Sequence, residues 1–408
     1  MRADSQLDDG PSGSIRATCL LIMAVEPNQT TASLDPSLSN SELRSPLASP
    51  IASDSLPRKP VVVLLNLSGG EESARAWVER QFAGFRHEQL PKSLLKWGSK
   101  REQLKRIRAI RPDEFAVFTA DIDFQSGREA ILAFGAATGA RRVTLGDAKG
   151  RILRRSRWRA LFLSPLRLIL ELIIAYITVV PLAWLFTVSI GVYCRMRPLT
   201  PIKRGENARD AGSGLSVLYI RGSLATGGGA NAAGGMATHV TGFTRAAISL
   251  GHRIAFISSG TAGLPTDVLK DSARDHPPDL RNDIPAVTIL PPSGAFSATR
   301  AMFEVSNSLL FTRRTFKTLR HKRFFDLIYQ RYNRFNYTGV ALSALRRIPL
   351  ILEYNGSEVW VGKNWDPVGL VWLLKRFERI NHRFANLIVV VSEAEKRNLM
   401  AAGVAKDR

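Results

Sequence analysis

One long apolar run, LILELIIAYITVVPLAWLFTVSIGV at residues 168–192, divides everything else in this sequence into two parts. It exceeds the ~20 apolar residues that a helix needs to cross a hydrocarbon core. Its one charge, Glu171, lies near one end, and Pro181 interrupts its middle. Arg154, Arg155, Arg157 and Arg159 precede it, and Arg195, Arg197, Lys203 and Arg204 follow. Basic flanks on both sides assign no orientation by the positive-inside rule. Three arrangements fit the pattern: a single span, a helix broken at Pro181 that enters and leaves one leaflet with both flanks on headgroups, or a buried helix of a soluble core. The length favours a membrane-embedded segment over residues 160–195, and having only two cysteines fits a location at the cytoplasmic face.

Before the run, residues 1–59 read as a disordered leader rich in Ser, Pro, Thr, Asn and Asp. Its short apolar stretch, residues 19–25, resembles a signal-peptide core but lacks a small-x-small cleavage site. Residues 60–150 then alternate strand-like runs (VVVLLNLSG, EFAVFTADI, RRVTLGDA) with helical ones, the pattern of a small parallel α/β layer. The basic stretch 92–111 is expected to be a solvated helix face.

After the run, residues 215–408 carry six strand candidates: LSVLYI, RIAFIS, AVTIL, FDLIYQ, PLILEY and NLIVVVS. Helical segments separate most of them, which predicts a doubly wound parallel sheet with ligands beyond the strands' carboxyl ends. Directly after the first strand comes a glycine-rich loop, RGSLATGGGANAAGGMATHV, at residues 221–240. It is not a P-loop, because Gly234 is followed by Gly235, Met236 and Ala237 rather than Lys-Ser/Thr. It is not a dinucleotide fingerprint either, since no acidic residue occurs between Asp210 and Asp267 to hold a ribose. Two readings stay open: amides that open on a polar or anionic ligand at a helix N-terminus, or a tight turn for close helix–sheet packing.

The formal charge of +22, from 57 Lys and Arg against 35 Asp and Glu, favours anionic partners. No nucleic-acid-binding motif accompanies it, so nucleic acid is not expected. Cys19 and Cys194 are too few for a disulfide framework, and no Cys/His cluster has metal-ligand spacing.

The segments GGMATHVTGFTRAAISLGHRIAFIS, FDLIYQRYNRFNYTGVALSALRRIPLILEYNGSEVW and ANLIVVVSEAEKRNLMAAGV occur in the order seen in retaining glycosyltransferases of family 4, and residues 215–408 resemble the N-terminal, acceptor-side domain of that family. The resemblance implies the GT-B fold and transfer of a sugar from a nucleotide sugar to a lipid-linked or polysaccharide acceptor, with retention of configuration. It implies no metal and no cofactor beyond the donor. Gly234 and Gly235 would face the sugar phosphate, and His239 the acceptor or a lipid phosphate. His252 belongs to a packing motif. Where many relatives carry a His after PLILEY, this sequence has Asn355 and Glu358, which either bond sugar hydroxyls as catalytic-site groups or cap the following loop. The basic run 313–323, with Phe316, Phe324 and Phe325 nearby, could hold a membrane surface or an anionic acceptor. Relatives continue past the position of Arg408 into a donor-binding domain, so this chain alone is expected to be inactive, with that domain missing or separately encoded. The rival expectation is a non-catalytic, membrane-docked interaction protein that keeps a degenerate transferase domain.

Overall fold

The computed structural model describes residues 58–90, 100–196, 214–222, 224, 235–261, 264–265, 286–320 and 325–408. Residues 1–57 of the leader lie outside them, as do residues 223 and 225–234 of the glycine loop, Gly234 among them. The molecule is mixed α/β, with two sheets that are parallel but for one edge strand.

The first sheet contains β1 (Val61–Asn66), β2 (Arg86–Leu90), β3 (Glu114–Thr119), β4 (Arg142–Asp147) and β5 (Ile152–Ser156), in the order β2-β1-β3-β4-β5. Only β5 runs antiparallel. Period-2 alternation sends the side chains of β1 to both faces. Val62 and Leu64 pack with Ala74, Trp77 and Val78 of α1 (Glu71–Gln81). Val63 and Leu65 share a core with Ile107 of α2 (Lys100–Ile110) and Ile131, Leu132 and Ala136 of α3 (Arg128–Ala137). The basic residues Arg101, Lys105, Arg106 and Arg108 of α2 are exposed, as a solvated face requires. At the carboxyl edge, Arg151 pairs with Asp121, Asp123 and Asp147, which fixes the β4–β5 hairpin.

Gly146 in β4 is required by packing: a Cβ there would lie 2.1 Å from Cζ2 of the buried Trp77. Overpacking of this kind costs roughly 1–3 kcal/mol. Gly146→Ala is therefore expected to lower unfolding stability by that amount, and by less than half as much in a Trp77→Phe background. An equal cost in both backgrounds, read from a double-mutant cycle, would exclude the steric explanation.

The second sheet contains β6 (Ser216–Arg221), β7 (Arg253–Ser258), β8 (Val287–Ile289), β9 (Leu327–Arg331), β10 (Leu350–Tyr354) and β11 (Leu387–Val390). Its order, β11-β10-β9-β6-β7-β8, is parallel throughout. Counted within the sheet this is the doubly wound order 3-2-1-4-5-6, whose switch point falls between β6 and β9. One face packs on α6 (Gly235–Ser249) through Val217, Tyr219, Phe256 and Tyr329. The other packs Leu218, Ile220, Ile328, Leu350 and Leu352 against α7 (Arg300–Thr318), α8 (Thr338–Arg346) and α10 (Val371–Phe384). Two shorter helices, α9 (Glu358–Asn364) and α11 (Glu393–Ala401), follow β10 and β11.

The apolar run forms α4 (Arg157–Ile177) and α5 (Val179–Met196), separated by Thr178 alone. Helical hydrogen bonding continues through the junction: Thr178 N donates to Ile174 O, and Leu182 N donates to Thr178 O. The chain therefore does not turn back at Pro181, which corrects the broken-hairpin arrangement. Pro181 lacks the N–H that would bond one turn back and crowds the carbonyl there, so its effect is local. Ala160 joins the core of the first sheet, whereas Ala175, Val179, Val180, Ala183, Ile190 and Cys194 join that of the second.

The two sheets meet near their carboxyl edges. Gly127 N donates to Ser297 O at 2.5 Å, Arg128 donates to Gly294 O, and a Cβ on Gly260 would lie 3.1 Å from Phe124.

On α10, the His382 ring packs edge-on to Tyr354, with centroids 4.5 Å apart. Burial pushes its pKa down from 6.5 to about 4. The unfolded chain then takes up a proton before the folded one, so stability falls as pH drops through that window, by about 1.4 kcal/mol per unit. His382→Phe is expected to remove about 2 kcal/mol of the stability difference between pH 7 and pH 5. Denaturant unfolding at the two pH values measures this, and an unchanged difference would refute it.

Candidate functional site

The carboxyl end of β10, one strand from the switch point, carries a polar cluster. Along β10, Leu350, Leu352 and Tyr354 turn to the core beneath α8 and α10. The opposite alternation directs Glu353 to the α6 face, where its side chain is only 2% exposed. Four donors surround that carboxylate. Arg331 Nη1, at the end of β9, lies 2.6 Å from Oε1, and Asn355 Nδ2 donates to the same oxygen at 3.0 Å. Tyr219 Oη donates to Oε2 at 3.3 Å, and His239 Nε2 lies 3.3 Å from it. Burial, reinforced by the charge of Glu353, pushes the Tyr219 and Tyr329 hydroxyls up, so both remain protonated donors.

The aromatic bodies of those tyrosines make the floor. Tyr219 stacks on Phe256 at 4.7 Å, and Phe243 lies 4.3 Å from Tyr329. Above it His239, on the first turns of α6, is 45% exposed, and Asn355 is exposed too. The cluster thus has a buried anion at its base and an imidazole and an amide at its mouth. Arg221, the last residue of β6, is buried at the same edge, and burial together with the nearby Arg331 charge lowers its pKa. Gly222 follows it; a Cβ there would lie 2.5 Å from Asn336 Nδ2, and Gly222 O accepts from Asn333 Nδ2 at 3.1 Å. The backbone leading into the glycine loop is therefore clamped by the β9–α8 connection.

Of the residues singled out from sequence, His239 and Asn355 converge on Glu353. Gly235 opens α6, while Gly234 lies outside the described residues. Glu358 belongs to a separate cluster: Arg334 Nε donates to it at 2.8 Å, Arg334 Nη2 lies 2.7 Å from Asp366, and Arg300 bonds Glu304 and Asp366. Burial pushes the Glu358 carboxyl up, with Arg334 opposing. Neither Asn355 nor Glu358 is the helix cap: Ser357 is, its Oγ accepting from Trp360 N and donating to Glu378 Oε1 at 2.7 Å. His252 Nδ1 accepts from Leu215 N at the opposite, amino end of β6. In the basic run, Arg313, Lys317 and Arg320 are exposed, but Phe316 and Phe325 turn into the core and Phe324 lies outside the described residues.

Glu353, Arg331, Tyr219 and Arg221 are the members that sequence reasoning passed over. A carboxylate in the otherwise apolar run PLILEY was the available signal. Among the described residues, no three His, Cys, Asp or Glu side chains are grouped to hold a metal ion.

No curated protein matches the chain. Among solved structures, Anabaena HepE, crystallised in complex with UDP, aligns at 16% identity with a TM-score of 0.29, over 47% of this chain and 42% of its own. The chain therefore spans less than half the length of that protein. Residues 233–408, from the glycine loop through α6, β10 and α11, match the family model Glycosyltransferase Family 4, and this part of the chain is glycosyltransferase family 4-like.

Proposed function

We propose that the chain supplies the acceptor-side half of a membrane-associated, retaining glycosyltransferase. Its reaction moves a sugar from a nucleotide sugar to a lipid-linked or polysaccharide acceptor at the cytoplasmic face. The observation that carries this reading is coincidence: the family 4 match, residues 233–408, includes Glu353 with its partners Arg331, Asn355 and His239 at the sheet's carboxyl edge, while Tyr219 and Arg221 precede it. Open α/β sheets bind ligands there.

The chemistry fits such a substrate. His239 and Asn355 offer hydrogen bonds to sugar hydroxyls from a surface that solvent reaches, and Glu353 holds both in place. Gly235 opens α6, and the helix dipole favours negative charge such as a sugar phosphate at that end, the ligand proposed for Gly234 and Gly235. Arg221 and Arg331 add positive charge at the same edge. The exposed apolar side of α4 and α5 supports the membrane association.

The test is incorporation of labelled sugar from a panel of nucleotide sugars into membrane lipid or polysaccharide by the full gene product. Transfer by wild type, lost in His239→Ala with folding unchanged, is expected. Full transfer by His239→Ala and by Asn355→Ala would remove the cluster from the substrate site.

A further inference from the structure

The helix formed by α4 and α5 touches protein along its entire length. Ala160 sits in the first core, and Ser164 accepts from Arg155 Nη1 at 2.7 Å. The half-buried Glu171 lies beside the backbone of Ser297 and Ala298, just before α7. Ala175, Val179, Ala183, Ile190 and Cys194 continue the same stripe into the second core, and Thr187 is buried with them. Contacts recur at intervals of three, four or seven residues, as on one side of a helix.

The remaining circumference is apolar and uncovered. Phe162, Leu166, Ile169, Ile173, Ile177 and Leu185 are each at least half exposed. Mean hydropathy reaches 2.3 in the helix's most apolar window, yet only 22% of that window is buried. Arg159, Arg167 and Arg195 are exposed along the same 40-residue element.

We infer that this helix is an in-plane membrane anchor: it lies flat against both α/β units and immerses its outward face in one leaflet of an anionic bilayer. The inference rests on the membrane association proposed above, and it replaces a crossing with a docking geometry. A crossing helix needs lipid around it for ~20 residues. Here that would draw the charged surfaces of two α/β units into hydrocarbon. At 1.5 Å per residue the element is also about 60 Å long, twice the ~30 Å hydrocarbon thickness. An interfacial helix needs only an apolar face sunk ~5–10 Å, with basic residues meeting anionic headgroups.

The experiment uses the full chain in a Cys19→Ser, Cys194→Ala background. Nitroxide labels at Phe162→Cys, Ile173→Cys and Leu185→Cys are measured for depth by electron paramagnetic resonance on vesicles of 70% phosphatidylcholine and 30% phosphatidylglycerol. In-plane docking gives three similar, shallow depths and loss of vesicle binding by roughly 10²-fold in Ile169→Glu/Ile173→Glu, from two apolar side chains no longer buried in lipid. Binding with a steep depth gradient, deepest at one label, overturns the in-plane geometry but leaves membrane association standing. No vesicle binding, with the labels immobilised in a dimer, overturns both and assigns the face to a second copy of the chain.

Discussion

Glu353→Ala should be the most damaging single substitution at the carboxyl edge. It removes the acceptor for Arg331, Asn355 and Tyr219 and the neighbour of His239 in one step. The Arg331 side chain is 19% exposed and would be left as a largely buried cation without its partner. Breaking such a pair by deleting one member costs about 3–5 kcal/mol. Glu353→Gln separates structure from function, because an amide oxygen still accepts from Arg331 and Asn355 while the charge is lost. The Gln variant is expected to fold, to lose less than half as much stability as the Ala variant, and to transfer sugar at least about 10²-fold more slowly. Unfolding free energies of the chain, and initial transfer rates of the full gene product carrying the same substitutions, decide it. If the rate of each variant merely tracks its folded fraction, Glu353 is structural and the site lies elsewhere.

Why Glu353 was passed over while the fold class was legible follows from where the information resides. The six apolar runs after residue 214 coincide with β6 to β11: the interior strands β6, β7, β9 and β10 write their burial into their own residues, and the edge strands β8 and β11 are also built from apolar runs. The same holds for β1, β3 and β4. The two strands not read from sequence, β2 (RHEQL) and β5 (ILRRS), lie at the edges of the first sheet, and most of their residues reach solvent. Edge strands are allowed charge and often display it, so no apolar run announces them.

The site is less legible for a related reason. The partners of Glu353 come from β6, β9 and α6, up to 134 residues away, and nothing local marks that convergence. Asn355 and Glu358 drew notice because they occupy the loop after the strand. Only Asn355 reaches the cluster, because α9 carries Glu358 to Arg334 instead.

That second cluster yields the other large effect. Arg334, with a side chain 8% exposed, faces Glu304, Glu358 and Asp366, and Arg300 is the other cation bonded among them. Arg334→Met leaves three carboxylates to one guanidinium in a largely buried space, a loss of about 3–5 kcal/mol at neutral pH. The pH dependence carries the sign of the cause. Burial already raises the Glu358 pKa above its ordinary 4.5, so the folded state holds its proton to higher pH than the unfolded chain does. Stability from this group is therefore greatest at low pH and falls as pH rises through the raised value. Removing Arg334 takes away the main opposing influence, so that window extends upward. The deficit of Arg334→Met against wild type should then shrink on going from pH 8 to pH 5, as Glu358 takes up a proton and the like-charge repulsion is relieved. Denaturant titrations of both proteins at the two pH values provide the measurement. A deficit of equal size at both would assign the loss to packing of the arginine stem, and the charge argument for this cluster would fail.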